Sequence, residues 1–385
     1  MTLALTVRPG ERDSLEVREE PEPDPDLPPG TDQGTAPAPG AGTGAGTGPE
    51  QPGRGGVLRV RGLAAGVCGT DREIASGTYG RPPPGRDRLI LGHESLGRVE
   101  QAPPDSGFAP GDLVAGVVRR PDPVPCGACA RGEFDMCRNG RYTEHGIKEL
   151  DGWARERWTL DAAMAVRLDP ALSRAGVLTE PAGIVAKAWE QIERVGGRSW
   201  FEPRRVLVTG AGPIGLLAAL LATQRGIETH VLDRVIEGPK PGLVRDLGAD
   251  YHTGDPEETV ARLHPDVIIE ATGAGPVVFA ALGGTAPYGV VCLTGVSPAG
   301  RRLTVDAGSI NREIVLENDA VVGSVNANLR HYRQAARDLS RADPAWLERL
   351  LSRRVPLARA AEAFTPQPDD VKVVIALEGT APGGP

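Results

Sequence analysis

Between Val57 and about Val166 the apolar positions fall in short runs punctuated by Gly and Pro. VLRVRGLAAGVC, LILGHESLGRVEQA and DLVAGVVRR are of this kind, and they predict the strands of an all-β region. From about Ala182 the texture changes. RVLVTG (205–210) has a strand pattern, PIGLLAALLATQRG a helix pattern and ETHVLDR a strand pattern; KPGLVRDLGAD, DVIIEATG, PVVFAAL and GVVCLTG then continue helix, strand, helix, strand. Such alternation predicts α/β structure with a doubly wound parallel sheet. The chain then returns to mixed structure, with helical NLRHYRQAARDL and PAWLERLLSRR and a last strand, VKVVIAL (371–377). No internal repeat is visible.

The longest apolar run, VLVTGAGPIGLLAALLA (206–222), has about the length of a membrane span. Three glycines and a proline interrupt it near its start, so strand, turn and helix are expected instead. The N-terminal MTLALTVRPGERDSLEV lacks a basic segment followed by an apolar core, so no signal peptide is expected. Residues 21–56 are almost wholly Pro, Gly, Ala, Thr and acid. That composition cannot offset the entropy of ordering it and predicts a mobile insertion between strands at 3–7 or 14–17 and at 57–60.

The 385 residues suffice for two domains, and a net charge of −8 argues against a nucleic-acid or anionic-membrane partner. Five cysteines are too few for a disulfide framework. Cys126, Cys129 and Cys137 stand at metal-ligand spacing, which suits a reducing cytoplasm better than secretion.

Gly210, Gly212 and Gly215 form G-x-G-x-x-G between a predicted strand and helix, with Pro213 and Ile214 inside the motif. Asp233 ends the next strand 23 residues after Gly210. Glycines allow the tight turn and close approach to a pyrophosphate, whose charge the helix N-terminus stabilises. Asp233 is placed to accept from ribose hydroxyls and favours NAD over NADP. Its neighbour Arg234 offers a guanidinium that stacks on adenine or pairs with the extra phosphate of NADP, so the expectation is NAD or NADP with NAD preferred. Thr272, Gly273, Thr294, Gly295 and Val296 end later strands and should line the same cleft.

GVCGTDREI (66–74) and LGHESLGRVE (91–100) bring Cys68 and the pair His93–Glu94 into the β region. With RYTEHGIKELDG, TEPAGIVAKAWEQ and VVGSVNAN in this order, the chain from about Val57 onward resembles the zinc-dependent medium-chain dehydrogenases, and among them the glucose (aldose) 1-dehydrogenase branch. The resemblance implies a β-rich GroES-like catalytic domain plus a Rossmann nucleotide-binding domain. The divisions it suggests are 1–182 (with the 21–56 insertion), 183–324, and a return to the catalytic domain at 325–385. It implies Cys68 and His93 as ligands of a catalytic Zn²⁺. Glu94, directly or through water, and Glu180 would complete the set with one exchangeable position. Thr70 would take the substrate hydroxyl's proton. Where many relatives carry a histidine five residues after the cysteine, this chain has Glu73, so the relay would end in water or in Glu73 itself. The sugar would be recognised by Glu144 and Asn326, with Glu94 and Glu180 beside it. Asn326 has two other readings, as cap of a helix starting near Leu329 or as a nicotinamide contact. His145 and His331 receive no role.

The family's second lobe carries C-x2-C-x2-C-x7-C. Aligned on Cys126, Cys129 and Cys137, its first cysteine falls on Pro123, which cannot bind metal. The neighbouring Asp122 makes a Cys3Asp structural zinc site the expectation, against a lobe that has lost its metal. The function expected is oxidation of an aldose, D-glucose first, at C1 to the aldonolactone with reduction of NAD(P). The alternative is a zinc-dependent polyol, threonine or other alcohol dehydrogenase; a silent nucleotide-binding protein is a third possibility. A small-molecule sugar substrate, a cytoplasmic location and a homodimer or homotetramer complete the expectation.

Overall fold

A computed structural model of the chain describes residues 1–23, 56–298, 300 and 302–378. The predicted insertion at 21–56 therefore lies outside the described residues, apart from its ends. The chain divides into two compact units. The first comprises Met1–Glu180, Arg353–Gln367 and the segment from Val373, and the second comprises Pro181–Ser352 with Pro368–Lys372. The stretch 325–352, expected with the catalytic domain, belongs to the second unit, and the return to the first begins at Arg353.

The first unit is built on a seven-stranded sheet. Its order is Ala165–Leu168, Leu113–Gly116, Glu94–Gln101, Val57–Val67, Val373–Ala376 and Arg353–Pro356, with Arg157–Asp161 pairing to Val57–Val67. In a second sheet Thr2–Val7 pairs with Glu16–Glu20 on one side and Leu89–Ile90 on the other, and a small third one joins Arg119–Arg120, Thr143–His145 and Glu149–Leu150. Leu5, Val7, Val67, Ile74, Leu89, Leu91, Val355 and Ile375 share one buried cluster. Removing this apolar surface from water, at about 25 cal/mol per Å², is what holds these sheets together.

The second unit contains six parallel strands in the order Asp250–His252, Glu228–Leu232, Arg205–Thr209, Val267–Glu270, Val290–Leu293 and Ala320–Gly323. The order reverses between Arg205–Thr209 and Val267–Glu270, the switch point at which such sheets take ligands. The run 206–222 is strand Arg205–Thr209 followed by helix Pro213–Thr223, and among the described residues no helix is long and apolar enough to cross a membrane. Helix Thr179–Gly196 and helix Leu329–Ser340 are joined through Glu190. Its carboxylate takes two N–H groups of Arg330 at 2.8 Å, pairs with Arg194 at 2.9 Å and meets His331 Nε2 at 3.2 Å.

Arg330 first, with His331 and Arg194 adding their charge, lowers the Glu190 pKa to about 2. The unfolded carboxyl binds its proton at higher pH, so this stabilisation is complete above about pH 4.5 and is lost as pH falls toward 2. Glu190→Gln is expected to cost about 1–2 kcal/mol at pH 7, after discounting for partial solvent screening. Urea unfolding at pH 7, 5 and 3.5 should show the gap between variant and parent shrinking with acid; a gap constant over that range would disprove the assignment.

Candidate active site

Strand Val57–Val67 runs directly into Cys68, the N-cap of helix Gly69–Ala75. Cys68 Sγ accepts from Thr70 N at 3.2 Å, and Asp71 Oδ2 accepts from Cys68 N at 3.0 Å, a reciprocal capping box built on a cysteine. His93, 4 % exposed, turns Nε2 to Cys68 Sγ at 3.1 Å and Nδ1 to Asp71 Oδ1 at 3.3 Å. Burial alone would push the His93 pKa down, but Asp71 and then Cys68 outweigh it and hold it well above the usual value. Asp71 was not singled out in the sequence. It fixes the ring so that one nitrogen faces the thiol, the carboxylate–histidine arrangement that orients metal ligands. The signal available was its place three residues after Cys68, where an N-cap's partner stands.

Glu94 opens strand Glu94–Gln101 and is buried. Glu180 lies in the first turn of helix Thr179–Gly196. Donor atoms of His93, Glu94 and Glu180 lie within 4.8 Å of one another, as do those of Cys68, Asp71 and His93. The expected residues thus fall into two triads that share the His93 imidazole, with Cys68 in one and Glu94 and Glu180 in the other. Thiolate, imidazole and carboxylate are the donors zinc takes, so these residues suit that ion. Thr70 is half-buried beside Cys68, to whose Sγ its N–H donates, and Glu73 is exposed.

Gly66 makes room for this arrangement. It is the strand partner of Glu94, and a Cβ on it would lie 1.8 Å from Glu94 Oε2. Gly66→Ala is therefore expected to displace the Glu94 carboxylate and reduce kcat/KM by about 10–100-fold, the range seen when the support of a metal ligand is removed. Thermal melting should move only a few degrees, because the atom that must yield is the end of a flexible side chain. Unchanged kinetics in a well-folded Gly66→Ala would show that Glu94's position does not matter.

Cys126, Cys129 and Cys137 also come within 4.8 Å of one another. Asp122 does not complete their set. Its Oδ1 accepts from Val124 N at 2.8 Å, and its Oδ2 accepts from Asn139 Nδ2 at 2.9 Å and pairs with Arg141 at 3.6 Å. It is the backbone N–H of Asp122, not the carboxylate, that faces Cys129. The N–H groups of Arg138 and Cys129 lower the Cys126 pKa to about 6. Burial first, then the thiol of Cys137, pushes Cys129 up to about 11. Among the described residues the three sulfurs cluster by themselves, while the Asp122 carboxylate is hydrogen-bonded within its own turn.

Glu144 is buried at 4 % exposure, with Oε1 3.0 Å from both Nε and Nη2 of Arg119, whose guanidinium lies 3.5 Å over the Tyr142 ring. Arg119 also donates from Nη1 to Asp135 O at 3.0 Å, so this buried pair is one part of a wider set of contacts. His145 stacks on Trp153 at 4.4 Å, and burial, followed by Arg120, keeps its pKa well below the usual value, so it is a neutral structural imidazole.

In the second unit Gly210 (φ +92°) turns the chain, and Gly215 packs so closely that a Cβ would lie 1.7 Å from Gly210 O. Helix Pro213–Thr223, with Pro213 and Ile214 in its first turn, takes Gly212 as its N-cap. Asp233 Oδ2 accepts from Ala211 N at 2.6 Å, Oδ1 accepts from Val235 N at 2.9 Å, and Lys240 Nζ is 3.4 Å away. Burial acts to raise its pKa, but these N–H groups and Lys240 prevail and lower it. Arg234 is exposed beside it. Thr272, Gly273, Thr294 and Gly295 are all hydrogen-bonded to Glu270, and Val296 is exposed. Asn326 has φ +62°, a left-handed conformation that Asn tolerates. It does not cap the following helix: Asn328 does, accepting from Arg330 N at 3.1 Å while His331 Nδ1 accepts from Asn328 N.

A parallel sheet with a glycine turn at its switch point, carried with a β-rich unit that presents Cys, His and two Glu, defines the medium-chain alcohol dehydrogenase class. A family model described as alcohol dehydrogenase GroES-like domain matches residues 54–170, and one described as glucose dehydrogenase C-terminus matches 173–377. Glucose 1-dehydrogenase of Methanocella arvoryzae is 41 % identical over 336 residues, covering 85 % of this chain and 93 % of that protein. The Thermoproteus tenax glucose 1-dehydrogenase is 38 % identical, covering 97 % and 99 %. The solved Haloferax mediterranei glucose dehydrogenase in complex with NADP, Zn and gluconolactone is 30 % identical with a TM-score of 0.82, covering 98 % of this chain and 100 % of that one. The chain belongs to the glucose dehydrogenase family.

Proposed function

We propose that this chain oxidises an aldose, D-glucose first, at C1 to the aldonolactone, with hydride transfer to NAD or NADP. The observation that carries the reading is that the triads Cys68–Asp71–His93 and His93–Glu94–Glu180 share one oriented imidazole, in a member of this family. These residues would hold a catalytic zinc ion, whose Lewis acidity when bound makes a sugar hydroxyl easier to deprotonate. Thr70 receives the hydroxyl proton, and the exposed Glu73 or water passes it to solvent. Glu144 and Asn326 supply polar contacts to ring hydroxyls, alongside Glu94 and Glu180. The Gly210–Gly215 turn and helix Pro213–Thr223 receive the pyrophosphate. Asp233 receives the ribose, while Lys240 and Arg234 beside it make a 2′-phosphate tolerable. NAD and NADP are expected to differ by about tenfold or less in kcat/KM, roughly 1.4 kcal/mol, with NAD preferred. The enzyme works in the cytoplasm as a homodimer or homotetramer.

Initial rates on aldoses and on the matching alditols, with each cofactor, test the reading alongside a zinc count. Turnover of aldoses with at least one zinc per chain is expected. Turnover of alditols alone would transfer the chain to the polyol dehydrogenases. A second zinc per chain would mean that the three-cysteine lobe recruits a ligand from outside the described residues or from solvent.

A further inference from the structure

We propose that Glu270 is the positioning residue of the dinucleotide site, holding three strand ends in register beneath the cofactor; this rests on the functional reading above. Glu270 closes the central strand Val267–Glu270 at the switch point and is completely buried. Its Oε1 accepts from Thr209 Oγ1 at 3.3 Å, Thr272 N at 2.8 Å, Gly273 N at 3.1 Å and the Thr272 hydroxyl. Its Oε2 lies 3.2 Å from Gly273 N. Its main-chain oxygen takes Thr294 N at 2.8 Å, Gly295 N at 3.0 Å and Thr294 Oγ1 at 2.8 Å. One residue thus ties the end of Arg205–Thr209, its own turn and the end of Val290–Leu293.

The surrounding contacts explain why that register matters. A Cβ on Gly295 would lie 2.2 Å from Gly273 N and 2.7 Å from Glu270 Oε2. A Cβ on Gly210 would lie 2.9 Å from Thr272 Cγ2, and one on Gly273 would lie 2.5 Å from Val296 O. The glycine turn rests on Thr272, Thr272 on Glu270, and the 294–297 segment on Gly273, where Ser297 Oγ donates to Gly273 O at 2.8 Å. A carboxylate is acceptor-only, so it can serve all of these N–H and O–H donors at once. Glutamine has the same size but presents an NH2 to one of those donors, a conflict that must move the 271–273 turn.

The test uses the zinc-loaded full chain and titrates NAD and NADP by calorimetry. Glu270→Gln is expected to weaken the dinucleotide Kd by about tenfold or more, with kcat at saturating cofactor within about threefold and zinc content unchanged. That split separates positioning from general loosening, which would lower kcat, zinc retention and sugar KM together. Thr272→Val removes one donor to the same carboxylate and should move Kd the same way by a few-fold. It decides the matter if Glu270→Gln does not fold. A parent chain that binds and reduces the cofactor, beside a folded Glu270→Gln binding it within twofold, would overturn this proposal alone. A parent chain that binds neither dinucleotide would overturn the functional reading and this proposal with it.

Discussion

His93→Ala is expected to lower turnover by on the order of 10³-fold or more, since it removes a ligand from a Lewis acid worth several kcal/mol in the transition state. The zinc count of the purified protein should fall by one per chain in parallel. Among the described residues the imidazole is the group shared by the thiol triad and the carboxylate triad, so its loss affects both. Asp71→Asn should be gentler. It keeps a side-chain oxygen near His93 Nδ1 but withdraws the negative charge 3.3 Å from the ring, and metal affinity should fall by about 10–100-fold. His93→Ala retaining both zinc and turnover would move the reactive centre elsewhere in the chain.

Gly215→Ala is expected to be the most damaging change in the second unit. With a Cβ 1.7 Å from Gly210 O, helix Pro213–Thr223 must lift away from strand Arg205–Thr209. Overpacking of this kind costs about 3 kcal/mol. The melting temperature should drop, and the dinucleotide Kd should rise by about 100-fold, because the helix N-terminus leaves the position where it meets the pyrophosphate. Gly212→Ala provides the contrast. Its Cβ would meet nothing within 4 Å, so stability should be kept while cofactor affinity falls through crowding of the pyrophosphate alone. Equal melting temperatures for the two variants would refute this division of labour between the glycines.

These two sites differ in how much of them the sequence carried. The glycine turn is local: strand, three glycines, helix and a later acid all lie on one continuous stretch, and the structure places them as expected. Cys68 and His93 were found through their motifs, but Asp71 owes its role to a helix cap that brings it against a residue 22 positions away. Gly66 matters only because strand register sets it against Glu94, and Glu270 because three strand ends converge on it. Such pairings are invisible in any window of the chain. Helix Ala307–Glu317 has no buried residue, and its apolar positions are confined mostly to its second half, so its pattern is weak. Edge strand Asp250–His252 is only three residues long, too short for an alternating pattern. Asp122 was a sound choice by chemistry, but its own turn already uses both carboxylate oxygens.

The sheet order of the first unit also sets a timetable. Val373–Ala376 lies between Val57–Val67 and Arg353–Pro356, with Val373 opposite Val67, the residue just before Cys68. The six parallel strands of the second unit all occur between Arg205 and Gly323, so a ribosome releases everything that sheet needs first. Until Val373 emerges, the 64–67 part of strand Val57–Val67 lacks its partner along one edge and invites pairing with other chains. The half of the protein made first, which carries Cys68 and His93, is therefore the last to become whole, and premature termination near residue 370 would leave a finished nucleotide fold beside an open, adhesive sheet.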